Sequence, residues 1–156
     1  MKDINIVKTL QLIKNYDIHT WVNFMLAAPQ STIEDDLNVI ELSHAGDVTY
    51  TACSTTVPMN GTRLYDYSLN NNLIDSSYIG DMCDCSKRSP YKHFNEKEKD
   101  IRYNVWLLGP IASKLCFPFR QIVTFMIKHI KPNKLFSLVR DKYYKYSIEN
   151  TIFKVK

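Results

Sequence analysis

The apolar residues change their spacing along this chain, and that change constrains the fold class more than any other feature. Over residues 3–16 the apolar side chains recur at helical spacing on one face. From Gly46 the period becomes two, so that Val48, Tyr50 and Ala52 alternate with polar residues, as in a half-buried strand. A chain that combines both periods and contains no internal repeat is typical of the α+β class.

The predicted sheet is small and antiparallel. A turn containing Gly61 separates the strand over 46–53 from a second candidate strand over 63–69, so we expect the two to pair as a hairpin. Residues 105–108 form a third candidate strand, whereas residues 37–42 fit either a helix or a strand. The expected fold is therefore α+β, with a small antiparallel sheet packed with helices.

Helices are predicted before and after these strands along the chain. Residues 18–28 are apolar nearly all round, which indicates a buried helix that ends near Pro29. A helix over 111–130 is expected to break at Pro118, and another is predicted over 134–147. These segments supply the helical layer of the expected α+β fold.

Length and composition favour one globular domain over residues 1–156. Of the 156 residues, 45% are hydrophobic and 23% are charged, which is ordinary for a globular protein and excludes a disordered one. Four Gly and six Pro exclude collagen-like and low-complexity chains. No apolar run approaches the roughly 20 residues that a membrane-spanning helix needs.

The cysteine content and the N-terminus favour an intracellular protein. Four cysteines are few for a chain that can build a stable core without disulfides, so we expect them to be reduced. Polar residues interrupt the N-terminal apolar stretch, and no secretory signal peptide is expected. Abundant Asn, Ile, Lys and Tyr with few Gly and Ala indicate an AT-rich coding sequence, consistent with a viral or parasite accessory protein.

The net charge of +4 is the sum of an acidic first part and a basic second part of the chain. Residues 1–86 carry four Lys/Arg against eleven Asp/Glu, a net charge of −7, whereas residues 87–156 carry sixteen against five, a net charge of +11. Tyr143, Tyr144 and Tyr146 lie among the C-terminal cations.

This basic half predicts an interaction surface. The candidate partner-binding residues are Lys128, Lys131, Lys134, Arg140, Lys142 and Lys145. Such residues with interleaved aromatics suit nucleic acid, an acidic protein partner or an anionic membrane surface. Alternatively, the basic half packs on the acidic half, and its remaining charges are solvated.

Cys116 and His44 are the candidate catalytic pair. A thiol nucleophile needs a nearby imidazole, and a cysteine at a helix N-terminus is favoured as the thiolate. Cys116 immediately precedes the predicted helix 119–130, and His44 immediately precedes the predicted strand 46–53. The alternative is that Cys116 is a buried small hydrophobe and His44 a loop residue.

The segment Ser43-His44-Ala45-Gly46, the strand that follows it and Gly61-Thr62-Arg63 resemble the permuted papain-like cysteine hydrolases of the NlpC superfamily. The resemblance covers residues 41–125. It implies a papain-like fold with His44 as base and Cys116 as nucleophile. It also implies hydrolysis of an amide, ester or thioester bond in a small-molecule, peptide or lipid substrate, with no cofactor required.

A weaker pattern concerns metal binding. Cys83, Cys85 and His93, with Cys53 as an added candidate, are residue types that bind zinc. A single residue between paired cysteines is unusual, since zinc sites mostly place two to four there. The alternative is a loop with two unpaired cysteines.

Overall fold

The computed structural model describes residues 5–149, and this part of the chain contains six α-helices and two β-strands. The elements are α1 (Ile6–Asn15), β1 (Trp21–Leu26), α2 (Ile33–Ala45), β2 (Tyr50–Thr55), α3 (Arg63–Asn70), α4 (Glu96–Ala112), α5 (Phe119–His129) and α6 (Lys134–Ser147), with a short 3₁₀ helix at Met82–Ser86. This content confirms the α+β class.

The two strands are parallel, so the predicted antiparallel hairpin is wrong. Residues pair in register from Trp21 with Tyr50 to Leu26 with Thr55. The reason is the connection: α2 lies between the strands and returns the chain to the end of the sheet from which β1 started. The two strands and α2 therefore form a βαβ unit.

The predicted buried helix over 18–28 is β1. Its exposed residues Trp21, Asn23 and Met25 alternate with more buried ones that end at Leu26. Two of the outward-facing residues, Trp21 and Met25, are themselves large and apolar, and they hide the period of two in the sequence. One face of this strand thus packs on the core, and the other is open to solvent.

Two other predicted strands are helical. The segment 63–69 lies in α3, where the Thr62 side chain accepts a hydrogen bond from the backbone N–H of Tyr65 and caps the helix. The segment 105–108 lies in the middle of α4, which continues through Pro110. The predicted helices over 3–16 and 134–147 are confirmed as α1 and α6, although residues 3–4 lie outside the described residues. Helix α5 begins after Pro118 as predicted, but residues 113–117 are not helical, contrary to the prediction.

The main core forms where α4 crosses the sheet. Val105, Leu107 and Ala112 of α4 are fully or almost fully buried, and they pack with Leu26 of β1 and Ile40 of α2. Helices α5 and α6 each contribute one buried side chain to the same cluster, Ile127 and Phe136 respectively. Helices α5 and α6 therefore each pack against the core along one side.

Candidate functional site

His44 lies in the last turn of α2, not at the opening of a strand as predicted, and it is not a loop residue either. Its ring atom Nδ1 lies 3.1 Å from the carbonyl oxygen of Ser113, just beyond α4. Because a carbonyl oxygen only accepts, this contact places the hydrogen on Nδ1 and leaves Nε2 as an acceptor. The ring is thus held beside the turn that leads to Cys116.

Cys116 is an exposed, free cysteine in the turn between α4 and α5. Its carbonyl oxygen accepts a hydrogen bond from the N–H of Arg120, and α5 begins at Phe119, as the sequence predicts. Within residues 5–149, which contain both side chains, no hydrogen bond joins the His44 ring to the Cys116 thiol. The catalytic pair therefore stays a prediction, whereas the alternative of a buried Cys116 is wrong.

The zinc candidates are not assembled into a site. Cys83 and Cys85 lie on the 3₁₀ helix, while the His93 ring packs against Phe94, with ring centroids 3.9 Å apart. Cys53 is buried in the core, where loss of water raises the pKa of its thiol to about 12. Across the part of the chain that the structure describes, no three His, Cys, Asp or Glu side chains form a metal-binding group.

Helix α5 has apolar side chains on its solvent side. Ile127 is its only buried residue, yet Phe119, Ile122 and Phe125 are 59%, 52% and 61% exposed. Their spacing of three residues places them on neighbouring turns, away from Ile127. Phe117, in the turn before the helix, is 75% exposed. A surface helix ordinarily turns polar side chains to water, so this solvent face, named here the α5 face, is unpartnered.

Helix α6 repeats this arrangement. Phe136 and Ser147 are its buried residues, and Leu135, Leu138 and Val139 are exposed on a different side at helical spacing. Both C-terminal helices therefore show aliphatic or aromatic side chains to solvent.

The predicted cations surround these helices, and most of them are unpaired. Arg140 lies 3.0 Å from the carboxylate of Asp141 and Lys145 lies 3.8 Å from that of Glu149. The other four candidates make no ion pair within residues 5–149. They are Lys128, Lys131, Lys134 and Lys142.

Two acidic residues near the end of α5 are already paired with another cation. Lys128 and Lys131 line a cleft that also contains Glu96 and Asp100. Both carboxylates pair with Arg88, at 3.0 and 2.8 Å. Lys128 also lines a cleft with Glu34, Asp35 and Glu41 but forms an ion pair with none of them in the part of the chain that the structure describes. Its ammonium group is thus left available to a partner.

The sequence predicted the cations but not the exposed apolar side chains. Ile122, Phe125 and Met126 form a stripe at helical spacing, and such a stripe is normally assigned to the core. One signal in the sequence could have indicated exposed apolar side chains. Helix α5 carries apolar residues on two sides, at Val123 and Ile127 and at Ile122 and Phe125. Only one of these sides fits against α4.

Comparison of the chain with protein-family models, curated proteins and solved structures found no match. The resemblance to papain-like hydrolases therefore stays a prediction. Within residues 5–149, no helix combines the length and apolar character needed to cross a membrane.

Proposed function

We propose that this protein is a non-enzymatic docking protein that binds the surface of an anionic membrane through α5. The observation that carries this proposal is the α5 face: Phe119, Ile122 and Phe125 of α5, and Phe117 in the turn before it, are all more than half exposed. Contiguous exposed apolar surface of this kind marks an interaction site.

The charge next to this face suits acidic lipid. Lys128 lies in the last turn of α5, Lys131 follows in the connecting loop, and Lys134 opens α6. Each Lys near an anionic bilayer contributes about 1 kcal/mol of binding free energy. A helix lying in the interface buries aromatic and aliphatic side chains below the headgroups while its cations contact the phosphates.

A membrane fits the α5 face better than nucleic acid or an acidic protein. Phosphate contacts and base stacking use cations and aromatic rings, but the aliphatic Ile122 on α5 and Leu135 and Leu138 on α6 gain nothing from bases. An acidic protein would satisfy the lysines, yet Phe119, Ile122 and Phe125 of α5 are apolar and more than half exposed. Lipid headgroups and acyl chains together match both features.

Vesicle sedimentation tests this function. The protein should pellet with vesicles that contain phosphatidylserine and remain in the supernatant with pure phosphatidylcholine. Raising the salt concentration should weaken binding, because the electrostatic part is screened. Single-stranded and duplex DNA serve as competitors. Complete displacement by DNA, or equal binding to neutral vesicles, would contradict the proposal.

A second candidate function is the cysteine hydrolase, and one observation favours it. The contact between His44 Nδ1 and the Ser113 carbonyl oxygen holds the imidazole beside the turn that carries the exposed Cys116. In this mechanism the Cys116 thiol attacks an amide, ester or thioester carbonyl, and His44 accepts and returns the proton. N–H groups at the start of α5 would hold the oxyanion. Alkylation of Cys116 is the test.

We also propose an intracellular location. It is supported by the state of the four cysteines, all of which are free in the structure. Reduced cysteines are the rule in the cytosol and nucleus, whereas secreted proteins tend to pair them.

A further inference from the structure

A second concave site contains no residue of α5. It is a cleft of about 370 Å³ where five parts of the chain meet: the last turn of α1, the loop before β1, the loop before β2, Lys114 after α4 and the final turns of α6. Cavities of this size hold small ligands. Nothing in the proposed docking function uses this cleft.

Its walls carry more positive than negative charge. Lys14 of α1 and Lys114 beyond α4 both line the cleft, together with His19. Within residues 5–149, the one carboxylate paired with either lysine is that of Asp47, whose Oδ2 lies 3.5 Å from Lys14 Nζ and which is itself largely exposed. Two ammonium groups therefore share a single, solvated counter-ion.

Lys114 is an exposed residue whose ammonium group is bound at the edge of the cleft. Its Nζ donates a hydrogen bond to the carbonyl oxygen of Val48, the second residue before β2. The loss of surrounding water lowers the pKa of this amine, and Lys14 lowers it further, while Asp47 opposes the shift. A bound anion would replace the missing water and relieve this cost.

The opposite wall supplies hydroxyl groups and ring faces. Tyr143, Tyr146 and Ser147 of α6 line the cleft, and Thr49 closes it from the strand side. Burial raises the pKa of Tyr143, and a hydrogen bond between its hydroxyl and that of Ser147 opposes this rise. The cleft thus combines ammonium groups, hydroxyl groups and aromatic rings. Such a lining fits a ligand in which a group whose oxygens only accept hydrogen bonds is attached to a flat or apolar part.

We propose that this cleft binds a phosphate monoester, with the phosphate between Lys14 and Lys114 and the organic part against the tyrosines of α6. The phosphate presents three acceptor oxygens and up to two negative charges, which the two lysines neutralise. Tyr146 provides the exposed side of the aromatic wall.

Titration of the whole chain with phenyl phosphate and with inorganic phosphate, followed by calorimetry, tests the site. Phenyl phosphate should bind more tightly than inorganic phosphate. Lys114→Met and Lys14→Met should each weaken both ligands by about tenfold or more, as expected for loss of a charged hydrogen bond. Lys8→Met, on the exposed side of α1, is the matched control and should change neither affinity. Equal losses in all three variants, or no binding of phenyl phosphate, would overturn the proposal.

A further variant tests the orientation of the ligand. Tyr146→Ala should weaken phenyl phosphate and leave inorganic phosphate unchanged; equal effects on both would overturn the assigned orientation. Short-chain phosphatidic acid, used as a soluble monomer, distinguishes the source: tighter binding than phenyl phosphate assigns the site to a lipid headgroup, and weaker binding to a soluble phosphate ester. The Phe125→Ser variant should retain phenyl phosphate binding, so failure of this site is distinguishable from failure of membrane docking.

Discussion

Arg102 of α4 forms a buried ion pair with Asp36 of α2, with 2.6 Å between Arg102 Nε and a carboxylate oxygen of Asp36. Only 3% and 4% of the two side chains remain exposed. The same carboxylate accepts the backbone N–H of Ala27 at the end of β1, and Arg102 Nη2 donates to the carbonyl oxygen of Ser31. One pair thus joins α2, α4 and the loop after β1.

Replacement of Arg102 by Met should destabilise the fold severely. The substitution leaves the Asp36 carboxylate buried without its partner, which typically costs about 3–5 kcal/mol in the free energy of unfolding. Lys92→Met is the control, since Lys92 pairs with Asp75 at 2.7 Å on the surface and its loss should cost less than about 1 kcal/mol. Urea unfolding measures both values, and similar losses in the two variants would contradict this account of the core.

The stability deficit of Arg102→Met should depend on pH. Burial raises the pKa of Asp36, and the hydrogen bonds from Arg102 and Ala27 oppose that rise. Without the guanidinium the pKa rises further, so the folded variant holds the proton more tightly than the unfolded chain. The free energy of unfolding of this variant then falls as the pH rises from the pKa of Asp36 in the unfolded chain to its higher pKa in the folded chain. The deficit should be largest near neutral pH and shrink towards acid; urea unfolding that gives a constant deficit would contradict this.

The sequence predicted the helices better than the sheet, for a physical reason. Helices α1 and α6 both carry apolar residues at helical spacing, from which their helical structure was predicted. In β1 the large residues Trp21 and Met25 face solvent while Phe24 and Leu26 face the core. Apolar residues on both faces erase the alternation that identifies a strand, and with β1 missing the parallel pairing was not predictable.

Of the α5 face and the residues around it, only the positive charge was predictable from the sequence. Unpaired cations such as Lys128 and Lys131 follow from a basic half that has few acids of its own. The outward direction of Ile122 and Phe125 depends on which side of α5 meets α4, and that choice is made by Ile127 in tertiary packing. A single sequence does not contain this information in its local pattern.

Cys116 should react with iodoacetamide like an ordinary exposed cysteine if docking is the function. Cys83, also exposed and free, is the internal control, and mass spectrometry of the labelled peptides gives both rates. The docking account predicts equal rates across the pH range. Faster labelling of Cys116 well below pH 8, abolished by His44→Ala, would instead favour the cysteine hydrolase.

Each single lysine substitution near α5 removes one positive charge and should weaken membrane binding accordingly. Lys128→Ala and Lys131→Ala should each lower the affinity for phosphatidylserine vesicles about fivefold, the equivalent of about 1 kcal/mol. Both variants should also reduce the dependence of binding on salt. Lys8→Ala removes an exposed lysine from α1 and should have no effect in the same sedimentation assay. An equal loss with Lys8→Ala would mean that only net charge matters.

The most direct test of membrane docking is the double substitution Ile122→Ser and Phe125→Ser. Both side chains are more than half exposed, so the free energy of unfolding should change by less than about 0.5 kcal/mol for each. Burial of their exposed parts in a bilayer contributes about 2 kcal/mol or more in total.

The measurement is the affinity for phosphatidylserine vesicles, compared with a control that carries Ile79→Ser and Met82→Ser, two side chains exposed by 73% and 74% away from α5. We expect a loss of at least about 30-fold for the α5 variant and none for the control. Unchanged binding of the folded α5 variant, or an equal loss in the control, would contradict it.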